Sequence, residues 1–177
     1  MFGRDEHGIE PELDTFHSSD GHTWDALWME PKHRGTAKAN TIFLIVHGLL
    51  GNYLSGVPRR AAFELARAGY TALSVNTRLA NYGVVYGGGL LHQATHDLDG
   101  AFELARSRGF QKIVLLGYGI PAILAIVLAL RTRGLRPMGY RVIAFLDNEP
   151  GNLAAIAKGT NADEILLLHA DTIFLSP

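Results

Sequence analysis

The sequence predicts an α/β fold in which a mostly parallel sheet carries helices on both faces. Two apolar runs, Thr41 to Val46 and Ile113 to Leu116, lack polar alternation, as expected for strands that are covered on both sides, and Thr71 to Val75 is predicted as a further strand. Segments with helical spacing of apolar residues lie between these runs. Strands that alternate with helices at short spacing are typical of parallel βαβ units.

Length and composition fit a single soluble domain over residues 1–177. The chain is 47% apolar and has a formal net charge of −1, so it can build a sizeable core. It has no basic run of the kind that binds phosphate backbones, so we expect no nucleic acid partner. The absence of cysteine excludes disulfides, thiolate nucleophiles and cysteine metal sites. The polar N-terminus has no apolar signal segment, which makes a cytoplasmic location the expectation.

An uncharged stretch of 18 residues, Ile113 to Leu130, is long enough to span a bilayer. Two glycines and a proline interrupt it, and its first half consists of strand-forming residues. Because apolar runs of this length need not be helical throughout, we expect no membrane partner.

The first third of the chain predicts a β-hairpin over Glu12 to Glu30 with its turn at Asp20-Gly21. After that turn, Trp24, Ala26 and Trp28 alternate along the chain with Thr23, Asp25 and Leu27. The polar segment from Pro31 to Asn40 then predicts a surface loop.

Two amphipathic helices are predicted in the middle of the chain. The first covers Val57 to Arg67 and ends before Gly69, and the second covers Leu91 to Arg108 and ends before Gly109. The glycine-rich loop from Asn76 to Gly89 lies between them, and such loops often line a site. The inward face of the second helix is predicted to consist of Leu98, Ala101, Phe102 and Ala105.

The stretch Lys112 to Ala122, KIVLLGYGIPA, predicts a strand, a sharp glycine turn and an apolar helix over Ile120 to Leu130. A further strand is predicted at Arg141 to Asp147, a short helix at Asn152 to Lys158, and a last strand at EILLLHA.

The glycine turn permits two chemical interpretations. In the nucleophile elbow G-x-S-x-G, a strained turn lifts a serine above the sheet, and here Gly119 stands at the serine position and Pro121 at the last glycine. In the dinucleotide fingerprint G-x-G-x-x-A, the matching residues are Gly117, Gly119 and Ala122, with Asp147 as the ribose partner. That fingerprint normally follows the first strand of its unit, whereas several strands precede this one.

Three segments, HGLLGN after the strand at 41–46, SVNTR at the end of the next strand, and DLDGAFELARSRGFQKIVLLGYG before the turn, resemble the α/β-hydrolase family. The resemblance covers about Leu13 to Pro177. It implies that His47-Gly48 introduces an oxyanion loop and that the backbone N–H groups of Leu49 and Ile120 are its donors. Tyr118 then occupies the variable position before the nucleophile position, Gly119.

The same resemblance shows what the sequence lacks. The family's catalytic acid corresponds to Asp147 or Asp171, but no histidine follows Asp171, and His169 is the only histidine after Asp147. The family's last strand, last helix and lid have no counterpart, so the domain is expected to be truncated after the seventh strand. A glycine at the elbow is similar to the degenerate elbow of the N-myc downstream-regulated proteins, which keep the fold without hydrolysis.

The sequence therefore predicts a pseudoenzyme or a binder of a small molecule with a carbonyl or carboxylate oxygen, without a cofactor. An active ester-type hydrolase with non-standard groups, drawn from Asp147, His169 and Asp171, is the first alternative. A dinucleotide-binding domain is the second. Two copies are also able to associate through a sheet edge left open by the missing strand.

Two histidine motifs have structural as well as functional interpretations. His47 is expected to order its loop rather than act as a base. His92 and His96 lie four residues apart beside Asp97, a spacing that can hold a metal. We favour a solvated helix face there and expect no metal site, because polar i, i+4 pairs are common on amphipathic helices.

Overall fold

The computed structural model describes residues 8–32, 38–48, 51–80, 93–117, 119, 144–147 and 166–169. The helices predicted at 120–130 and 152–158 lie outside this part of the chain. The elements within it are β1 (Glu10–His17), β2 (Thr23–Glu30), β3 (Thr41–Val46), α1 (Gly56–Arg67), β4 (Thr71–Val75), α2 (Ala94–Ser107), β5 (Lys112–Gly117), β6 (Ala144–Asp147) and β7 (Leu166–His169).

The N-terminal hairpin is confirmed, with β1 and β2 antiparallel from the pair Glu10 and Glu30 to the pair His17 and Thr23. In the second half of β2, residues of both faces are buried, since Leu27, Trp28 and Met29 all lie in the core. The reason is that β2 also pairs with β4, so it lies inside the sheet. Both of its faces are therefore covered.

Five strands form one sheet in the order β1-β2-β4-β3-β5, and β3 is parallel to both of its neighbours. On one face, the apolar residues of α2 join Trp28 and Leu44 in a core. On the other face, Ala62 and Ala66 of α1 join Leu27 and Ile45. This arrangement confirms the predicted α/β class with helices on both faces.

Both helices of the described residues lie close to their predicted positions. The predicted inward face of α2 is confirmed, since Leu98, Ala101, Phe102 and Ala105 are buried. The helix also lies very close to the hairpin, because a Cβ at Gly100 would fall 2.1 Å from the carbonyl oxygen of His17. Within the described ranges, neither helix is long and apolar enough to cross a bilayer.

The register of the parallel strands aligns their carboxyl ends. Val46 at the end of β3 pairs with Val75 in β4 and with Gly117 in β5. The segments that follow these three strands therefore leave the same edge of the sheet side by side, which is where α/β sites form. The separate parallel pair β6 and β7 ends with Asp147 opposite His169.

Candidate functional site

Two of the predicted site segments meet at the carboxyl edge of the sheet. His47-Gly48 follows β3, and Gly119 comes two residues after the end of its neighbour β5. Gly119 has φ = +76°, in the left-handed region where a side chain is strained. A sharp, strained turn from strand to helix is the backbone geometry that a nucleophile elbow requires.

His47 is fully buried, and both of its ring nitrogens are used. Nδ1 lies 2.8 Å from the carbonyl oxygen of Gly48, which only accepts, so Nδ1 carries the proton. Nε2 accepts a hydrogen bond of 3.1 Å from the backbone N–H of Thr77. The imidazole is therefore the neutral Nδ1–H tautomer, and it ties the segment after β3 to the segment after β4.

Electrostatics keep this ring neutral. Burial lowers the pKa of His47, while the hydrogen bond with Gly48 and the charge of Asp97 act in the opposite direction without reversing the shift. Protonation would place a hydrogen on Nε2, where the Thr77 N–H already points. His47 is thus suited to hold backbone in place, and it has no free nitrogen with which to take a proton from a substrate.

The carbonyl of Gly48 is fixed from two sides. It accepts the Nδ1–H of His47 at 2.8 Å and the backbone N–H of Gly51 at 3.1 Å. A Cβ at position 51 would lie 3.1 Å from the same oxygen, so the tight turn after β3 is best served by glycine there. These contacts hold the first peptide group of the loop that the sequence assigns to anion binding.

Thr77 connects His47 to a buried ion pair. Its hydroxyl lies 3.2 Å from Nε2 of His47 and accepts the backbone N–H of Leu79 at 3.3 Å. The next residue, Arg78, is bound by Asp97 of α2. One carboxylate holds both parts of Arg78: Oδ2 accepts its backbone N–H at 2.9 Å, and Oδ1 lies 2.7 Å from Nη2.

Asp97 is fully buried and Arg78 is 8% exposed. The Asp97 carboxylate also accepts the indole N–H of Trp24 at 2.8 Å, so its oxygens are well satisfied. Burial alone would lower the pKa of Arg78, but its hydrogen bonds to Asp97 and Asp20 and their charges raise it overall. Arg78 therefore stays charged.

Asp20, in the turn between β1 and β2, completes this cluster. Its carboxylate accepts Nη2 of Arg78 at 2.9 Å and the hydroxyl of Ser18 at 2.6 Å. Burial would raise its pKa, but the hydrogen bonds from Ser18 and Arg78, with the charges of Arg78 and His96, lower the pKa of Asp20 to about 2. The hairpin turn, the segment after β4 and the start of α2 are thus joined at one guanidinium.

The sequence interpretation missed this cluster, because it considered Asp97 only as the neighbour of the His92 and His96 pair. The helical spacing could have predicted the burial of Asp97. This residue lies three residues after Ala94 and four before Ala101, both of which are buried. His96, the neighbouring residue, is half-buried, and its Nδ1 lies 2.7 Å from the hydroxyl of Ser19. Among the described residues, no three His, Asp or Glu side chains are arranged to hold a metal ion.

The remaining predicted site residues stay predictions. Asp147 and His169 are register partners at the carboxyl ends of β6 and β7, so their backbones are adjacent. The other predicted site residues lie outside the described part of the chain, namely Leu49, Tyr118, Ile120, Ala122, Asp171 and His92.

Comparison with solved structures identifies the fold. The Pyrococcus furiosus esterase Pf2001 superposes with a TM-score of 0.73 at 10% identity, over 99% of this chain and 90% of that one. A cold-adapted esterase from an Arctic intertidal metagenomic library gives 0.62 at 12% identity, covering 96% and 87%. A bacterial heroin esterase gives 0.57 at 21% identity, covering 79% of this chain and 44% of that one.

No family model and no curated sequence matches the chain. Identities of this size carry the fold and leave the chemistry open. The sheet order, the two helical layers, the glycine corner after β5 and the superposition with esterases agree with one another. The chain has the α/β-hydrolase fold.

Proposed function

We propose that this protein is a hydrolase-like domain that binds, without hydrolysing, a small molecule with a carbonyl or carboxylate oxygen. The observation that carries the proposal is Gly119. It occupies the nucleophile position of the sequence pattern and has the left-handed backbone of a strained corner, with φ = +76°. We infer that this position retains the backbone of the corner without the hydroxyl oxygen that would attack an ester.

The groups that bind an anion do not depend on that oxygen. In acyl-transfer enzymes of this fold, backbone N–H groups stabilise the oxyanion. The proposed first donor, the N–H of Leu49, belongs to the same peptide group as the Gly48 carbonyl. Two hydrogen bonds fix this carbonyl, which supports the proposal that the neighbouring donor belongs to an ordered site. The N–H of Ile120, directly after Gly119, is the proposed second donor.

Hydrolysis by this fold needs a nucleophile and a general base, and His47 does not supply the base. His47 spends both ring nitrogens on backbone partners, so it is not a general base. Without nucleophile and base, an oxyanion hole and binding alone leave roughly 10³-fold acceleration over water. We therefore expect ester turnover by the wild type to be far below that of an esterase.

The test is hydrolysis of p-nitrophenyl acetate and butyrate by the wild type, Gly119→Ser and Gly119→Ala. The alanine variant is the matched control, because it carries the same backbone strain as serine without a hydroxyl. We expect no burst in the wild type and in Gly119→Ala, and turnover that stays within roughly 10³-fold of uncatalysed hydrolysis. Wild-type turnover that disappears in Asp171→Asn or His169→Gln would instead establish an active hydrolase with non-standard groups and overturn the proposal.

Binding is tested separately by titration of the wild type with butyrate and with the neutral amide butyramide, followed in amide NMR spectra. We expect saturable shifts at Gly48 and Gly51 with butyrate. A melting temperature raised by NAD, together with no response to carboxylates, would favour the dinucleotide interpretation of Gly117, Gly119 and Ala122. A cytoplasmic location and association of two copies through an open sheet edge are further proposals, and light scattering tests the second.

A further inference from the structure

We propose that Arg78, held between Asp97 and Asp20, is a positioning residue for the Gly48 peptide at the carboxyl edge of the sheet. The inference deepens the proposed function, on which it rests, because that peptide carries the proposed anion donor. Arg78 acts through its neighbours and is not assigned a contact with ligand.

The first step is the contact path from Arg78 to Gly48. Asp97 holds the backbone N–H of Arg78 at 2.9 Å, which fixes the chain directly after Thr77. The Thr77 N–H reaches Nε2 of His47 at 3.1 Å, and Nδ1–H of His47 reaches the Gly48 oxygen at 2.8 Å. Every member of this path from Asp97 to His47 is buried, so water does not replace a lost contact at low cost.

The second step is that the guanidinium fixes Asp97 itself. Nε and Nη2 of Arg78 lie 3.0 Å and 2.7 Å from the two carboxylate oxygens. This two-point arrangement sets the plane of the carboxylate, which a lysine ammonium does not do. The orientation of Asp97 then determines where its Oδ2 holds the main chain at position 78.

The third step is that the cluster acts on His47 through charge as well as contact. The negative charge of Asp97 works against the effect of burial on the imidazole. Arg78 partly neutralises that charge, and Asp20 in turn accepts a hydrogen bond from the same Nη2 group at 2.9 Å. A change at Arg78 therefore alters both the geometry and the field at the ring that holds Gly48.

The experiment compares Arg78→Lys and Asp20→Asn with Arg108→Lys by NMR. Arg108 is the matched control, because it also bridges two carboxylates, Glu12 and Asp14, but contacts the hairpin instead of the segment after β4. The first readout is exchange of the Gly51 amide, whose hydrogen bond ends on the Gly48 oxygen. The second readout is the ¹⁵N signals of the His47 ring, which report the tautomer and both of its hydrogen bonds.

We expect Arg78→Lys to speed exchange at Gly51 by about tenfold and to move the His47 ring signals. Asp20→Asn removes only the charge of the more exposed partner, leaves the buried pair intact and should give a smaller change of the same kind. Arg108→Lys should leave both readouts at their wild-type values. Folded Arg78→Lys and Asp20→Asn proteins with unchanged Gly51 exchange and unchanged His47 signals would overturn the inference.

Butyrate titration separates this inference from the proposed function. If the NMR effects occur and the wild type binds no carboxylate, the positioning role stands and the binding function fails. If the wild type binds butyrate and Arg78→Lys changes neither its affinity nor the two NMR readouts, the binding function stands and the positioning role fails. We expect butyrate affinity to weaken about tenfold in Arg78→Lys.

Discussion

Two arginines of this protein make nearly the same contacts in different surroundings. Arg78 bridges Asp97 and Asp20 at 2.7 and 2.9 Å, and Arg108 bridges Glu12 and Asp14 at 2.7 and 2.6 Å. Exposure separates them, since Arg78 is 8% exposed and Arg108 is 31% exposed. Asp97 is fully buried, whereas the side chain of Glu12 is 55% exposed.

The distance between the charged atoms therefore does not by itself determine how much an ion pair contributes to stability. Water screens the exposed cluster and replaces a lost partner, so such pairs contribute about 0 to 1 kcal/mol. A buried carboxylate that loses its cation is left without compensation, which costs about 3 to 5 kcal/mol. The Arg78 cluster also joins three segments of the chain, whereas Arg108 joins the end of α2 only to the hairpin, where it pairs with Glu12 and Asp14 of β1 and stacks on Trp28 of β2.

The largest expected effect is that of Arg78→Met, with Arg108→Met as the control. The first change leaves Asp97 buried without its cation, and we expect the free energy of unfolding to fall by about 3 kcal/mol or more. The second change keeps an apolar side chain over Trp28 and should cost about 1 kcal/mol or less. Urea unfolding of both variants measures this, and equal losses would show that burial does not separate the two clusters.

The next effect is the contribution of His47, beside the Arg78 cluster, to the pH dependence of the free energy of unfolding. The pKa of an unfolded histidine is about 6.5, and burial lowers that of folded His47. Between the pKa of unfolded histidine and the lower pKa of folded His47, the unfolded chain binds more protons than the folded chain. The contribution of His47 to the free energy of unfolding is therefore complete above about pH 6.5 and is lost as the pH falls through the lowered pKa. Asp20 does not contribute in this window, because its pKa is about 2.

Urea unfolding of the wild type and His47→Gln from pH 7.5 to 5 isolates this contribution. We expect the wild type to lose up to about 1.4 kcal/mol per pH unit more than the variant. Parallel curves for the two proteins would mean that His47 is not held neutral by burial.

The smallest effect is the salt dependence of the exposed cluster. A double-mutant cycle on Arg108 and Glu12 should give a coupling energy below about 1 kcal/mol at low salt, which shrinks at about 1 M NaCl because the Debye length falls to about 3 Å. The corresponding cycle on Arg78 and Asp97 should keep most of its coupling energy at high salt. Equal salt dependence in the two cycles would contradict the contrast between buried and exposed arginines.

Much of the fold was predictable from local patterns. The strands β3 and β4 form at their predicted positions, 41–46 and 71–75, and in β3 continuous β-branched, aromatic and leucine residues favour a strand covered on both faces. The helical spacing of apolar residues such as Leu98 and Ala101 likewise predicted the position of α2. The local sequence of β2 did not indicate that both faces of this strand are covered. The cover depends on the pairing of β2 with β4, which is a long-range contact.

The site divides in the same way between local sequence and tertiary structure. By itself, the sequence determined the strand and helix segments, the His47-Gly48 pair after a buried strand and a glycine in place of the nucleophile, because each depends on residues that are near neighbours in the chain. Tertiary structure alone decided that Val46 lies beside both Val75 and Gly117, that His47 bonds with Thr77, and that Asp97 is buried against Arg78. The physical reason is that these hydrogen bonds and buried charges join residues that are far apart in the chain. Strand register and sheet order bring such residues together, and neither is encoded in the local spacing of the sequence.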